Sequence, residues 1–178
     1  MKIKPEQFLQ YDLALQAAKD KDYGSSFDVT MNKYGYVTAC IRIHDKLSRL
    51  QRLLCNEAQV NTESKLDTWI DLANYAIMTC NHMHKEFAPK HKLASFEHGL
   101  RSSLIYKGLS ADVTEADCVE LCQEYNDIMT TMFKESFKQN PDIPLSVAMK
   151  QVKDATLSIA SIAICNVLMY DDSNLFKS

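Results

Sequence analysis

The chain is poor in residues that turn or interrupt a helix: only four glycines and four prolines occur among 178 residues. Turns are therefore scarce and long regular elements are expected. No run of alternating apolar and polar residues is long enough for a sheet. Net charge is also small, at −3. Such a chain has no overall field to gather a nucleic-acid backbone, which disfavours a sequence-independent polynucleotide binder but leaves room for a single nucleotide held by local cations. No uninterrupted run approaches the ~20 apolar residues of a membrane span. The most apolar stretch, Ser158 to Met169, is broken by Ser161 and Asn166 and reads as a buried core helix. The start, Met1-Lys2-Ile3-Lys4-Pro5, leads into no apolar secretion signal. A soluble, cytoplasmic protein with no membrane partner is expected.

Several motifs are missing too. There is no Walker sequence, no GxSxG, no HExxH and no Cys–His signature, so P-loop phosphoryl transfer, serine hydrolysis and zinc chemistry lack support. Six cysteines are present, at 40, 55, 80, 118, 122 and 165. Cys118 and Cys122 lie four apart with no second close pair, and most of the others fall in apolar stripes. They read as reduced, mostly buried thiols.

What remains is helical periodicity. Pro5 suits the first turn of a helix to about residue 19, with Phe8, Leu9, Ala14, Leu15 and Ala18 inward. After a turn-rich loop and a short helix, Gly35 precedes a long helix over 36–55. Its face of Ala39, Cys40, Ile43, Leu47, Leu50 and Leu54 repeats at helical period. A third helix is expected over 62–86 with Thr62 as N-cap, burying Leu66, Trp69, Ile70, Ala73, Ile77 and Cys80. A helical stretch over 91–106 follows. Thr114-Glu115-Ala116-Asp117 fits a capping box opening a helix over 116–138, and the last helix covers 145–169, with a loose tail beyond. The expected fold is all-α: a bundle of long antiparallel helices, arranged as two helical hairpins. Residues 1–88 and 89–178 form two regions packed into one domain, and the chain is expected to form a homodimer or higher homo-oligomer.

Four groups of residues are candidates for chemistry. Glu63, Asp67, Asp71 and Asn74 fall within an arc of about 80° on one helix. Oxygen ligands of this kind suit magnesium or manganese bridging phosphate oxygens, while a solvated acidic face is the plainer alternative. Glu120, Glu124 and Asp127 make a similar stripe on a later helix, and read as surface. Arg42, Lys46, Arg49 and Arg52, with Asp45 among them, line one side of the preceding helix; they suit phosphate or ordinary ion pairs equally. Tyr23-Gly24-Ser25-Ser26 can offer N–H groups and hydroxyls to an anion, with Tyr23 or Phe27 stacking on a base, or can simply cap the next helix.

Three of these segments together resemble a known family. Asp22-Tyr23-Gly24-Ser25-Ser26-Phe27, then Asp45-Lys46-Leu47-Ser48-Arg49-Leu50, then Glu63-Ser64-Lys65-Leu66-Asp67 and Asp71-Leu72-Ala73-Asn74-Tyr75-Ala76 look like the nucleotide modification associated domain common in phages. The likeness covers about residues 20 to 85. That family is distantly similar to the MazG-like all-α NTP pyrophosphatases, which hold magnesium on acidic helices and cleave between the α- and β-phosphates. The resemblance implies Glu63, Asp67, Asp71 and Asp45 as metal-binding acids, with Asp67 and Asp71 catalytic. Carried over by position, it implies Lys46, Arg49 and Asn74 as contacts to phosphates or base, and the full set of nucleotide-binding candidates is Tyr23, Gly24, Ser25, Arg42, Lys46, Arg49, Asn74 and Tyr75. One departure is that the pyrophosphatases carry an acidic cluster on the first helix, where this chain has Asp45 amid basic residues. The expected function is a magnesium- or manganese-dependent nucleotide pyrophosphohydrolase acting in a phage-infected cell. Two alternatives stand beside it: a non-catalytic binder that sequesters a signalling nucleotide, and a helical interaction module.

Overall fold

A computed structural model describes residues 26–56, 64–87, 113–137 and 145–170, with scattered positions between 7 and 21. Five helices are described: α1 (Ser26–Tyr34), α2 (Val37–Cys55), α3 (Lys65–Phe87), α4 (Glu115–Phe137) and α5 (Leu145–Met169). The fold is all-α, with no strand among the described residues. Periodicity locates α2, α4 and α5 to within a residue at each end. The helix expected over 91–106, the loop at 22–25 and the tail after 170 lie outside the described residues.

The start of α3 differs from expectation. Ser64, not Thr62, is the N-cap: its Oγ accepts from the Asp67 backbone N–H at 3.1 Å, while Asp67 Oδ2 accepts from the Ser64 N–H and Oγ at 2.7 Å each. The reason lies three residues on. A capping box needs an acceptor at that position; from Ser64 it is Asp67, whereas from Thr62 it is Lys65, which only donates. The box foreseen at the start of α4 forms in the same way, with Asp117 Oδ2 accepting from the Thr114 N–H at 2.8 Å and from its Oγ1 at 2.6 Å.

Gly35 ends α1 in the left-handed region, at φ 74°. Its N–H donates to Met31 O at 2.8 Å and its carbonyl accepts from Thr38 N at 3.1 Å, so one residue closes α1 and opens α2. A side chain with a Cβ is disfavoured at that φ.

The bundle is organised around α5, which packs against both α3 and α4; α2 packs against the same two helices from the other side. The expected inward faces of α2 and α3 are buried, except that Leu54 is half-buried. Trp69, Leu47, Leu72, Ile159 and Ile164 are among the side chains fully removed from water. Along α5, polar side chains are buried as well. Thr156, Ser158 and Ser161 each donate to the carbonyl four residues back at 2.7, 2.9 and 2.8 Å, and Asn166 Nδ2 does so at 2.9 Å. These bonds along their own helix let an interior helix tolerate them, and Thr156 also reaches Met129 Sδ of α4 at 3.5 Å. Within α5, Val147–Met169 is long and apolar enough to cross a membrane by length and composition, and 61% of it is buried inside the bundle.

At the N-terminal end the expected stripe is partly corrected. Phe8 is fully buried and Tyr11 and Leu15 pack on the core, but Ala14 and Ala18 are exposed. Phe8, Tyr11 and Leu15, spaced three and four, already make the inward stripe, and the two alanines flank it. Leu9 lies outside the described residues.

Candidate functional site

The seam between α2 and α3 carries the candidate chemistry. The two helices run antiparallel, and their facing residues keep a constant register. Arg49 Nε donates to Thr68 Oγ1 at 3.1 Å, and three residues back on α2 and on along α3, Lys46 Nζ meets Asp71 Oδ2 at 2.8 Å. Thr68 Oγ1 in turn donates to Ser64 O at 3.0 Å. Helical spacing explains the alignment: Arg42, Lys46 and Arg49 share one side of α2, as Thr68, Asp71 and Tyr75 share one side of α3. The side chains of Lys46 and Asp71 are 21% and 26% exposed, so their ion pair is partly desolvated yet open to a solute.

One helical turn further along α3 the seam becomes aromatic. Tyr75 is half-buried, and the Phe27 ring of α1 lies 6.0 Å from it at a tilt of 39°. Beyond that, Asp28 Oδ1 lies 3.2 Å from His82 Nδ1, and Tyr36 meets the His82 ring edge-on at 5.9 Å. Asp28 of α1 and Tyr36 at the start of α2 thus both meet His82 at the far end of the seam.

The remaining predicted residues divide. Arg42 is exposed one turn before Lys46; Asp45 is exposed about 100° round the helix from Lys46. Asp67 is exposed, with Oδ2 engaged in the α3 cap. Asn74 is buried, at 4% exposure. Arg52 is exposed near the end of α2, and Glu120, Glu124 and Asp127 are exposed on α4. Tyr23, Gly24, Ser25 and Glu63 lie outside the described residues. Among the described residues no three His, Cys, Asp or Glu side chains gather in a way that would hold a metal ion. Two of the three described acids proposed as ligands are turned to other partners, Asp67 to Ser64 and Asp71 to Lys46.

Sequence reasoning missed a second polar cluster, around Glu115 at the start of α4. Its Oε2 accepts from Lys65 Nζ at 2.7 Å, and its Oε1 accepts from Trp69 Nε1 at 2.7 Å and from Tyr170 OH at 3.2 Å. Burial raises the Glu115 carboxyl, but the bonds from Lys65, Trp69 and Tyr170 and the Lys65 charge together hold it below its ordinary value. Burial and the same carboxylate push the Tyr170 phenol up. A signal was present: a buried indole N–H requires an acceptor, and the chain has one tryptophan.

The cysteines are free thiols, four of them buried, Cys165 partly so and Cys55 exposed. Burial pushes Cys40 up to about 11 and Cys80 up to about 12. Thiols held so far above neutrality are poor nucleophiles.

Residues 19–83 match the family model described as nucleotide modification associated domain 1. No curated protein and no solved structure matches the chain. The matched segment contains α1, α2 and α3 as far as Met83, and with them the whole seam; α4 and α5 lie beyond it.

Proposed function

We propose that the nucleotide modification associated segment binds the phosphate groups of a nucleotide along the α2–α3 seam. The observation that supports this most directly is the Lys46–Asp71 pair, held at 2.8 Å within the row of cations Arg42, Lys46 and Arg49. Lys46 is aligned by Asp71, and Arg49 by Thr68, so their charges are oriented before a ligand arrives. A phosphate dianion competes with Asp71 for Lys46, and the Arg49 guanidinium, one turn away on the same side of α2, takes a further oxygen. With a net charge of −3 the chain offers a local anion site rather than a track for a polynucleotide.

A second reading is hydrolysis of a nucleoside triphosphate between its α- and β-phosphates, assisted by magnesium or manganese. It is favoured by Asp67 and Asp71, one turn apart on α3 beside the cations. The donor set does not suit a metal among the described residues, since both acids face other partners and Asp45 lies round the helix. We therefore place binding ahead of turnover and derive no step through a metal. The setting we propose is a phage-infected cytoplasm, with the protein acting as a homo-oligomer; light scattering on the purified chain tests the latter.

The deciding experiment is a melting-temperature screen against nucleoside mono-, di- and triphosphates and cyclic nucleotides, with and without magnesium. Stabilising ligands are then recovered from denatured protein and weighed. Intact ligand supports the binder; released pyrophosphate establishes the hydrolase. Absence of any shift across the screen overturns both.

A further inference from the structure

The seam changes character along its length, and the change has a dimension. Asp71 and Tyr75 lie four residues apart on one side of α3, a rise of about 6 Å. That is comparable to the reach from the phosphate of a nucleotide to its base. We infer that Tyr75 is the base-stacking surface of this site, so that its ligand is a nucleotide carrying its base and not a base-free polyphosphate. The inference rests on the phosphate reading above.

Three observations carry it. Tyr75 is partly buried and packs against the core, so it is anchored yet still reachable from solvent. Phe27 lies against it at 6.0 Å and fixes its orientation, which lowers the entropic cost of stacking a planar ligand. The Asp28–His82 contact ties α1, which carries Phe27, to α3, and Tyr36 at the start of α2 meets the same His82 ring. An aromatic surface one turn from a cation pair has apolar and anionic subsites in the order a nucleotide presents them. Because every base has a π-face, stacking on Tyr75 recognises that a base is present more than which base it is. Purine and pyrimidine nucleotides of equal phosphate number are expected to bind within a few-fold of one another.

The test compares the full chain's affinity for inorganic tripolyphosphate, ATP and CTP by titration calorimetry. Both nucleotides are expected to bind about 10- to 100-fold more tightly than tripolyphosphate, the range that one stacked base supplies. Tyr75→Leu is expected to lower nucleotide affinity to the tripolyphosphate level and leave tripolyphosphate unchanged, while Tyr75→Phe keeps the wild-type preference. Equal binding of nucleotides and tripolyphosphate by the wild-type chain overturns the stacking role and leaves the phosphate reading standing. Undiminished nucleotide preference in Tyr75→Leu overturns it likewise. Binding of none of the three ligands removes the phosphate reading and this inference with it. The wild-type comparison needs no variant, so it decides even if Tyr75→Leu does not fold.

Discussion

Trp69 Nε1 donates to Glu115 Oε1 across 2.7 Å, joining the middle of the matched segment to a helix outside it. Trp69 is fully buried, and Lys65 and Tyr170 close on the same carboxylate. Glu115→Gln removes the charge that three donors face. It is expected to lower stability at pH 7 by about 1–3 kcal/mol, nearer the low end because the group keeps substantial solvent contact. The pH dependence follows from the sign of the shift. A carboxyl held below its ordinary 4.5 contributes stability above that pH and loses it as pH falls through the lower folded value. Urea melts of wild type and variant should therefore differ at pH 7 and converge in the acid range below about 4.5. A constant difference down to pH 3 would contradict this assignment.

Asp67 has a measurable structural duty at the α3 cap. Ser64→Ala is expected to destabilise by about 1 kcal/mol, the usual cost of a lost N-cap hydroxyl. Asp67→Asn should destabilise in the same direction. Because both act through one reciprocal pair, the double variant should fall well short of the sum. Additive losses in a denaturant double-mutant cycle would show that Asp67 acts outside the cap.

The same residue shows what the sequence could and could not convey. Helical period alone places Glu63, Asp67 and Asp71 on one arc, and α5 with its bounds, because apolar spacing and proline are local signals. It does not say where a carboxylate oxygen turns. Asp67 bends back to Ser64 because a serine three residues earlier offers two donors, a signal recognised at Thr114 but not at Ser64. Lys46 and Asp71 were both singled out, and the structure brings them together; periodicity had set them on separate helices without a register. Glu115 shows in the sequence only as part of a capping box, because the partners of its carboxylate lie 46, 50 and 55 positions away. No local pattern encodes a pairing of that span.

At the seam, the two members of the ion pair should respond oppositely to a nucleotide without metal. Lys46→Gln removes a cation and is expected to weaken binding about 10-fold, or roughly 1.4 kcal/mol. Asp71→Asn removes the anion that competes with phosphate for Lys46, and should strengthen metal-free binding. Raising salt from 50 to 500 mM should weaken the wild type as screening grows. Calorimetric titration of the three proteins checks all of this, and a weaker Asp71→Asn would assign that acid a direct part in holding the ligand.

The thiols give an independent check of the bundle. Cys55 is exposed, whereas Cys40, Cys80 and Cys122 are buried with their thiols pushed up by burial. At pH 8 a colorimetric thiol reagent should titrate Cys55 quickly and Cys165 more slowly, and reach the rest only after denaturant is added. Rapid reaction of all six in native buffer would contradict the packing described for α3 and α4.

Because α3 packs along α5 and α2 along α4, the matched segment is not a self-sufficient piece. Expressed alone to residue 88, it would leave the faces of α2 and α3 that pack on α4 and α5 bare to water, and its tryptophan would lose the acid that accepts from it. The matched part of this chain thus depends for its packing on helices beyond the match, and excising it for biochemistry would uncover that shared interface.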